Sequence, residues 1–135
     1  MAYKIEEVEG IGAKFGQKLA AAGVKTTADL LKKGATRKSR KELAEAADIS
    51  GKLILKWANH SDLMRIPGIG PEYSELLEAA GVDTVKELRR RNAGNLAAMM
   101  DEAQKTKKLT RKAPTAKVVA KWIETAKTME PRISY

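Results

Sequence analysis

The same turn-and-helix pattern occurs twice in this chain, and this repeat limits the possible folds more than any other feature. When the sequence is shifted by 58 residues, residues 8–30 align with 66–88, and 10 of the 23 positions are identical. Each copy runs from an apolar residue into Gly-Ile-Gly, at 10–12 and 68–70, and then into an amphipathic segment that ends at Ala-Ala-Gly. Two glycines around one apolar residue predict a tight turn, and the N–H groups of such a turn at a helix start can bind an anion.

The spacing of the repeated residues resembles a known motif. Gly-Ile-Gly is followed by a small residue (Gly16 or Ser74), then by a leucine (Leu19 or Leu77), and then by Gly-Val. This order resembles the helix-hairpin-helix motif. The two copies and the helices between and after them cover nearly the whole chain, and this arrangement resembles a tandem helix-hairpin-helix family that is described as a domain of unknown function. The resemblance implies binding to the DNA phosphate backbone without reading of the base sequence.

The two copies supply a first set of candidate DNA-binding residues. Backbone N–H groups near Gly12 and Ala13 would donate to phosphate, and Lys14 would add a positive charge. In the second copy Pro71 removes a donor and Glu72 adds a negative charge, so we expect the first hairpin to bind better. The full set comprises these residues: Gly10, Ile11, Gly12, Ala13, Lys14, Lys18, Gly68, Ile69 and Gly70.

A strongly basic segment follows the first copy and supplies a second set of candidates. Its cations are Arg37, Lys38, Arg40 and Lys41. Basic residues at a helix start oppose the helix dipole, which favours a binding role for them. A solvated surface is an equally good interpretation. Within this segment Ser39 and Glu42 have the spacing of a capping box.

A third pattern is typical of a bacterial helix-turn-helix. It consists of a small residue, a turn, a serine cap and a β-branched anchor, at Ala44, Asp48, Ser50 and Ile54. In that interpretation residues 51–59 would enter the major groove of DNA and read bases. Apolar residues take up much of this segment and leave few polar positions, which are Lys52, Lys56 and Asn59.

Composition limits the remaining possibilities. The net charge of +9 divides into +4 for residues 1–62 and +5 for residues 63–135, and such a spread excess suggests a polyanionic partner. The absence of cysteine excludes disulfides and thiol catalysis. With no signal-peptide pattern and no long apolar stretch, we expect a cytoplasmic protein. His60 is the only histidine, and His60, Ser61 and Asp62 are expected to form a turn that ends the helix before them. With this histidine in a turn and the acidic residues scattered, we predict no enzyme activity, no metal and no cofactor.

Helical periodicity predicts an all-α fold of two repeats, 1–62 and 63–135, each a hairpin followed by two further helices, around one compact core. Trp57 and Trp122 should pack the last helix of each repeat onto its hairpin. Seven extra residues in the second repeat are expected in the basic connection at 105–112, and residues from Pro131 onward are expected to fray.

The leading functional hypothesis is a non-enzymatic module that binds DNA, in preference to RNA, through the phosphate backbone. The alternative is a protein–protein adaptor whose basic surface meets an acidic partner. A helix-turn-helix reader comes third. The sequence favours no particular pathway or oligomeric state.

Overall fold

Helices make up the regular structure of the chain. The computed structural model describes residues 2–108 and 112–135, and within them a 3₁₀ helix (Ile5–Glu7) precedes eight α helices. These are α1 (Gly12–Ala21), α2 (Thr27–Lys33), α3 (Arg37–Ala47), α4 (Gly51–Leu63), α5 (Pro71–Ala79), α6 (Val85–Leu88), α7 (Ala93–Lys107) and α8 (Ala116–Lys127). The β structure of the described part is one isolated bridge between Lys4 and Thr26. The all-α prediction is confirmed.

Side-chain caps explain where most of these helices begin. In the described residues six of the eight helices start at a side chain that accepts a hydrogen bond from the first turn: Thr26, Thr36, Ser50, Thr84, Asn92 and Thr115. Such caps satisfy N–H groups that have no partner within the helix. The predicted capping box at Ser39 and Glu42 is wrong, because Ser39 pairs with Thr36 instead.

The buried hydrophobic residues form two clusters and not the single shared core that we predicted. One cluster is built from the 3₁₀ helix, the first turn and α1–α4, and the other from α5–α8 with the second turn. Neighbouring residues at the end of α4 separate them, because Leu63 belongs to the second cluster and Met64 to the first. The predicted boundary after residue 62 stays a prediction.

Each tryptophan packs against the ring that follows the Gly-Ile-Gly turn of its own half. The ring centroids of Phe15 and Trp57 lie 5.1 Å apart, and those of Tyr73 and Trp122 lie 5.2 Å apart. Both pairs have an interplanar angle of 59°, a tilted geometry that aromatic pairs favour. Both indoles are almost fully buried, so their predicted role as core anchors is confirmed.

The end of α4 corrects two predictions. His60, Ser61 and Asp62 were expected to break this helix, but it continues to Leu63. All three side chains are about 1% exposed, which places the only histidine in the interior and not in a turn. His60 and Asp62 are satisfied by long-range contacts with Glu78 and Val85, which local sequence patterns do not reveal. The hydroxyl of Ser61 donates to the carbonyl of Trp57, one helical turn earlier.

Residues after Pro131 do not fray. Ile133 is 8% exposed and joins the hydrophobic cluster of the first half. The N–H of Ser134 donates to the carbonyl of Ala35 at 2.8 Å, and the hydroxyl of Tyr135 donates to Oδ1 of Asn59 at 3.0 Å. This segment therefore crosses from the second half to the first.

The extra length of the second half lies partly in a helix. With 15 residues, α7 is longer than α3, which has 11. All seven extra residues were predicted in the basic connection at 105–112, but α7 continues to Lys107. Residues 109–111 of that connection lie outside the described residues. No helix in the described part of the chain is long and apolar enough to cross a membrane.

Candidate functional site

The two Gly-Ile-Gly turns share a backbone path at their first glycine. Gly10 and Gly68 have φ angles of +90° and +96°, which favour glycine. A Cβ added at these positions would lie 3.6 Å from Nε1 of Trp57 and 3.2 Å from Nε1 of Trp122, respectively. The positive φ angle therefore explains both glycines, and at Gly68 a side chain would also press against Trp122. Ile11 and Ile69 are buried, so their side chains anchor the turns and do not face a ligand.

The turns differ at their second glycine, although the repeated sequence predicts the same tight turn in both copies. Gly12 lies inside α1 with φ +63°, whereas Gly70 is the extended residue before α5, with φ −97°. Proline disfavours a helical conformation in the residue before it, so Pro71 explains the extended Gly70. The first turn is also preceded only by a 3₁₀ helix, whereas α4 precedes the second.

The two helices that follow these turns lack side-chain caps, unlike the other six in the described residues. At α1 the N–H groups of Gly12, Ala13 and Lys14 have no acceptor among the described residues. All three residues are exposed, and a Cβ added at Gly12 would meet no atom within 4 Å. The start of α1 therefore combines three exposed residues with N–H groups that lack acceptors, an arrangement that can bind anions at helix starts.

The second turn has a different electrostatic environment. Pro71 has no N–H to donate, and Glu72 places a carboxylate in the first turn of α5. Glu7 and Glu9 from the first half line a shallow pocket of about 400 Å³ together with residues 70–73. Negative charge thus gathers at this turn, which disfavours a phosphate there.

Two of the predicted cations have structural partners. Lys18 donates from Nζ to the carbonyl of Asp48 at 3.2 Å and lies 3.8 Å from its carboxylate, so it ties α1 to the turn before α4. Arg40 is only 6% exposed, and its Nη1 donates to the carbonyls of Gly34 and Ala35 at the end of α2. Burial lowers the pKa of Arg40 from its ordinary value. Lys18 thus pairs at the surface and Arg40 in the interior. The DNA contacts predicted for both residues stay predictions.

The other cations of the basic segment stay exposed. Arg37, Lys38 and Lys41 have no side-chain partner among the described residues. They lie around a groove between α3 and the start of α4, and Lys52 of α4 joins them there. The structure therefore separates the predicted sites into the exposed start of α1 and this groove, whose lining contains no residue of α1.

The burial of α4 argues against the helix-turn-helix alternative. Within residues 51–59 only Gly51 and Lys52 are exposed. Lys56 lies 3.5 Å from the carboxylate of Glu78, and Asn59 is 7% exposed and bonded to Tyr135. A helix that is covered on most sides cannot place its side chains against base edges in the major groove.

A buried polar network that the sequence did not reveal joins α4 to α5. Nε2 of His60 lies 3.0 Å from Oε2 of Glu78, and Nδ1 lies 3.3 Å from Oγ of Ser74. The hydroxyl of Ser74 donates to the carbonyl of Pro71 at 2.8 Å, so the network reaches the start of α5. The unexpected extension of α4 is the reason that a local pattern could not find this contact.

The network makes stability depend on pH. The hydrogen bond from His60 holds the pKa of the Glu78 carboxyl below its ordinary value of 4.5, and the charge of Lys56 acts in the same direction. A lowered pKa stabilises the fold above the ordinary value, and this stabilisation is lost as the pH falls through the lowered value. We therefore expect the melting temperature of Glu78→Gln to change less than that of the parent between about pH 6 and about pH 3.

The matched control is Glu124→Gln, which removes a carboxylate from an exposed pair with Lys127. This control should retain the pH profile of the parent. Equal profiles for the parent and Glu78→Gln would show that the contact with His60 does not contribute to acid sensitivity.

Comparisons with known proteins came to one finding. No curated protein and no solved structure matched the chain. A family model described as "Domain of unknown function (DUF4332)" matches residues 9–129. This match includes both Gly-Ile-Gly turns and all eight α helices of the described residues, since α1 begins at Gly12 and α8 ends at Lys127. The chain therefore belongs to the DUF4332 family.

Proposed function

We propose that the chain is a non-enzymatic DNA-binding module that contacts the phosphate backbone and does not read base sequence. In this proposal the two halves are helix-hairpin-helix repeats, and the first one carries the contact. The observation that supports it most is the open start of α1, where three N–H groups without acceptors lie beside the exposed Lys14.

Phosphate fits this site for two physical reasons. Its oxygens can accept the free N–H groups of α1, and the positive end of the helix dipole favours an anion at the same place. Lys14 adds an exposed cation on the first turn of the same helix. Backbone donors carry no base-specific pattern, so such a contact positions a duplex without selecting its sequence.

We assign a packing role to the second turn. Pro71 and Glu72 make the start of α5 a poor phosphate site, and the nearby Glu7 and Glu9 add to the negative charge. Its Gly68 leaves room for Nε1 of Trp122, and its buried Ile69 belongs to the same hydrophobic cluster as Trp122. In this proposal the turn at the start of α1 contacts the phosphate backbone, and the turn at the start of α5 does not.

Lys14→Glu should weaken binding to duplex DNA about tenfold, which corresponds to about 1.4 kcal/mol. The substitution replaces attraction with repulsion beside the free N–H groups, and it should reduce the slope of log K against log salt by about one. Fluorescence anisotropy with two duplexes of unrelated sequence, at several salt concentrations, measures both effects. A duplex RNA of equal length tests the preference for DNA.

Lys32→Glu is the matched control, because Lys32 is exposed on α2 and the change in net charge is identical. The reciprocal variant Glu72→Lys should bind DNA more tightly than the parent. Circular dichroism should show unchanged helix content and melting temperature in all three variants. If Lys14→Glu and Lys32→Glu weaken DNA binding equally, the net charge of the protein and not a contact at Lys14 attracts the DNA. The proposed site would then be wrong.

A further inference from the structure

A large groove lies on the first half of the molecule. It has a volume of about 1250 Å³ and lies between α3, the start of α4 and Tyr135. Its wall includes Ala44, Ile49 and Leu55, and most of its surface is apolar. Small-molecule pockets have volumes on the order of 300–1,000 Å³ and enclose their ligands, so this open groove suits a larger occupant.

The edges of the groove carry a strong positive charge. Arg37, Lys38 and Lys41 of α3 and Lys52 of α4 are exposed and line it. None of these four side chains has an ion-pair partner among the described residues. Glu45 and Asp48 are the acidic residues of the lining, and Asp48 lies near Lys18. The lining therefore attracts an anionic partner.

Tyr135 forms an aromatic wall at this groove. Its side chain is held in place by the hydrogen bond to Asn59 and by the guanidinium of Arg40, which lies 5.8 Å from the ring centroid. The residue is nevertheless 68% exposed, the most exposed of the large hydrophobic residues in the described chain. A fixed and exposed aromatic ring is typical of surfaces that bind proteins.

From these features we infer that the groove binds an acidic amphipathic helix of a partner protein. Apolar side chains on one face of that helix would contact Ala44, Ile49, Leu55 and the ring of Tyr135. Carboxylates along its edges would pair with the exposed cations of α3 and α4. This is the helix-in-groove mode of peptide recognition, with charge complementarity setting the choice of partner.

The apolar wall favours a protein over a nucleic acid as the occupant. A phosphate backbone is polar throughout and gains nothing from aliphatic surface, whereas Leu or Ile side chains do. The inference does not depend on the proposed DNA contact, because the groove lining includes neither Lys14 nor any residue of the first turn. Each surface can therefore be tested without the other.

The test uses the full chain and a synthetic peptide of about 15 residues with leucines at i, i+4 and i+7 and with Glu or Asp at the flanking positions. We expect saturable binding at low salt by fluorescence anisotropy. The double variant Lys38→Glu with Lys41→Glu should weaken it at least about tenfold. A peptide with the leucines replaced by serine has the same charge and should bind at least about tenfold more weakly.

Lys25→Glu with Lys32→Glu is the matched control, because both lysines are exposed, lie outside the groove and give the same change in charge. Amide shifts on titration should be confined to the groove residues, and Lys14→Glu should leave peptide affinity unchanged. Failure of the peptide to bind would overturn the inference, as would equal affinity of the serine peptide. Duplex DNA that displaces the peptide and shifts the same amides would assign the groove to nucleic acid.

Discussion

Replacing Trp57 with alanine should lower the free energy of unfolding by about 3–5 kcal/mol. Trp57 is 1% exposed and is among the largest fully buried side chains of the described chain. It packs on Phe15 of α1, and its Nε1 would lie 3.6 Å from a Cβ added at Gly10, so α4 reaches the first turn through this residue. Truncation would remove this contact and leave a large cavity. Urea denaturation followed by circular dichroism measures the change.

Trp57→Phe is the control, because it retains an apolar ring and should destabilise the chain clearly less than alanine does. Trp122→Ala probes the corresponding contact with Tyr73 in the second cluster. Because the two clusters are separate, hydrogen exchange should show the largest loss of protection in the half that carries each substitution. A loss below about 1 kcal/mol for Trp57→Ala would contradict its role as an anchor.

Asp62→Asn should also lower stability by about 3–5 kcal/mol. Asp62 is 1% exposed, with Oδ1 2.6 Å from Nη1 of Arg65 and Oδ2 accepting the N–H of Val85 at 2.9 Å. Both neighbours donate, so both oxygens must accept. An asparagine amide would direct N–H groups at one of these donors and leave the Arg65 charge, which is mostly buried, without a counterion.

The loss of stability in Asp62→Asn should also reach the residues that Arg65 contacts, because Nη2 of Arg65 donates to the carbonyl of Glu130. We expect increased exchange at the start of α6 and in the segment after α8. Asp101→Asn is the control, because Asp101 forms an exposed pair with Lys105 and its loss should change stability by less than about 1 kcal/mol. Similar losses for the two variants would show that burial does not strengthen the Asp62 contact.

The sequence alone determined the features that depend on neighbouring residues. Thr84 and Asn92 stand directly before helical segments of the sequence and cap them in the structure, because a cap needs only the N–H groups two or three residues further on. Before α2 the sequence offers Thr26 and Thr27, and Thr26 is the cap. The sequence also identified both tryptophans as anchors, because each indole lies on the apolar face of a helical segment and that face packs on the core. The difference between the turns was visible in Pro71 and Glu72 as well.

Only the tertiary structure decided which polar and charged groups are free. Arg40 and Lys38 are two residues apart in one basic segment, yet Arg40 is buried on the carbonyls that end α2 and Lys38 is exposed. Asp62 looked like a helix breaker until its partners at residues 65 and 85 came into contact. Residues 133–135 looked like a frayed end until they packed on the first half. Burial of a polar side chain costs free energy unless a hydrogen-bond partner satisfies it. Only the path of the chain through the fold brings such a distant partner near.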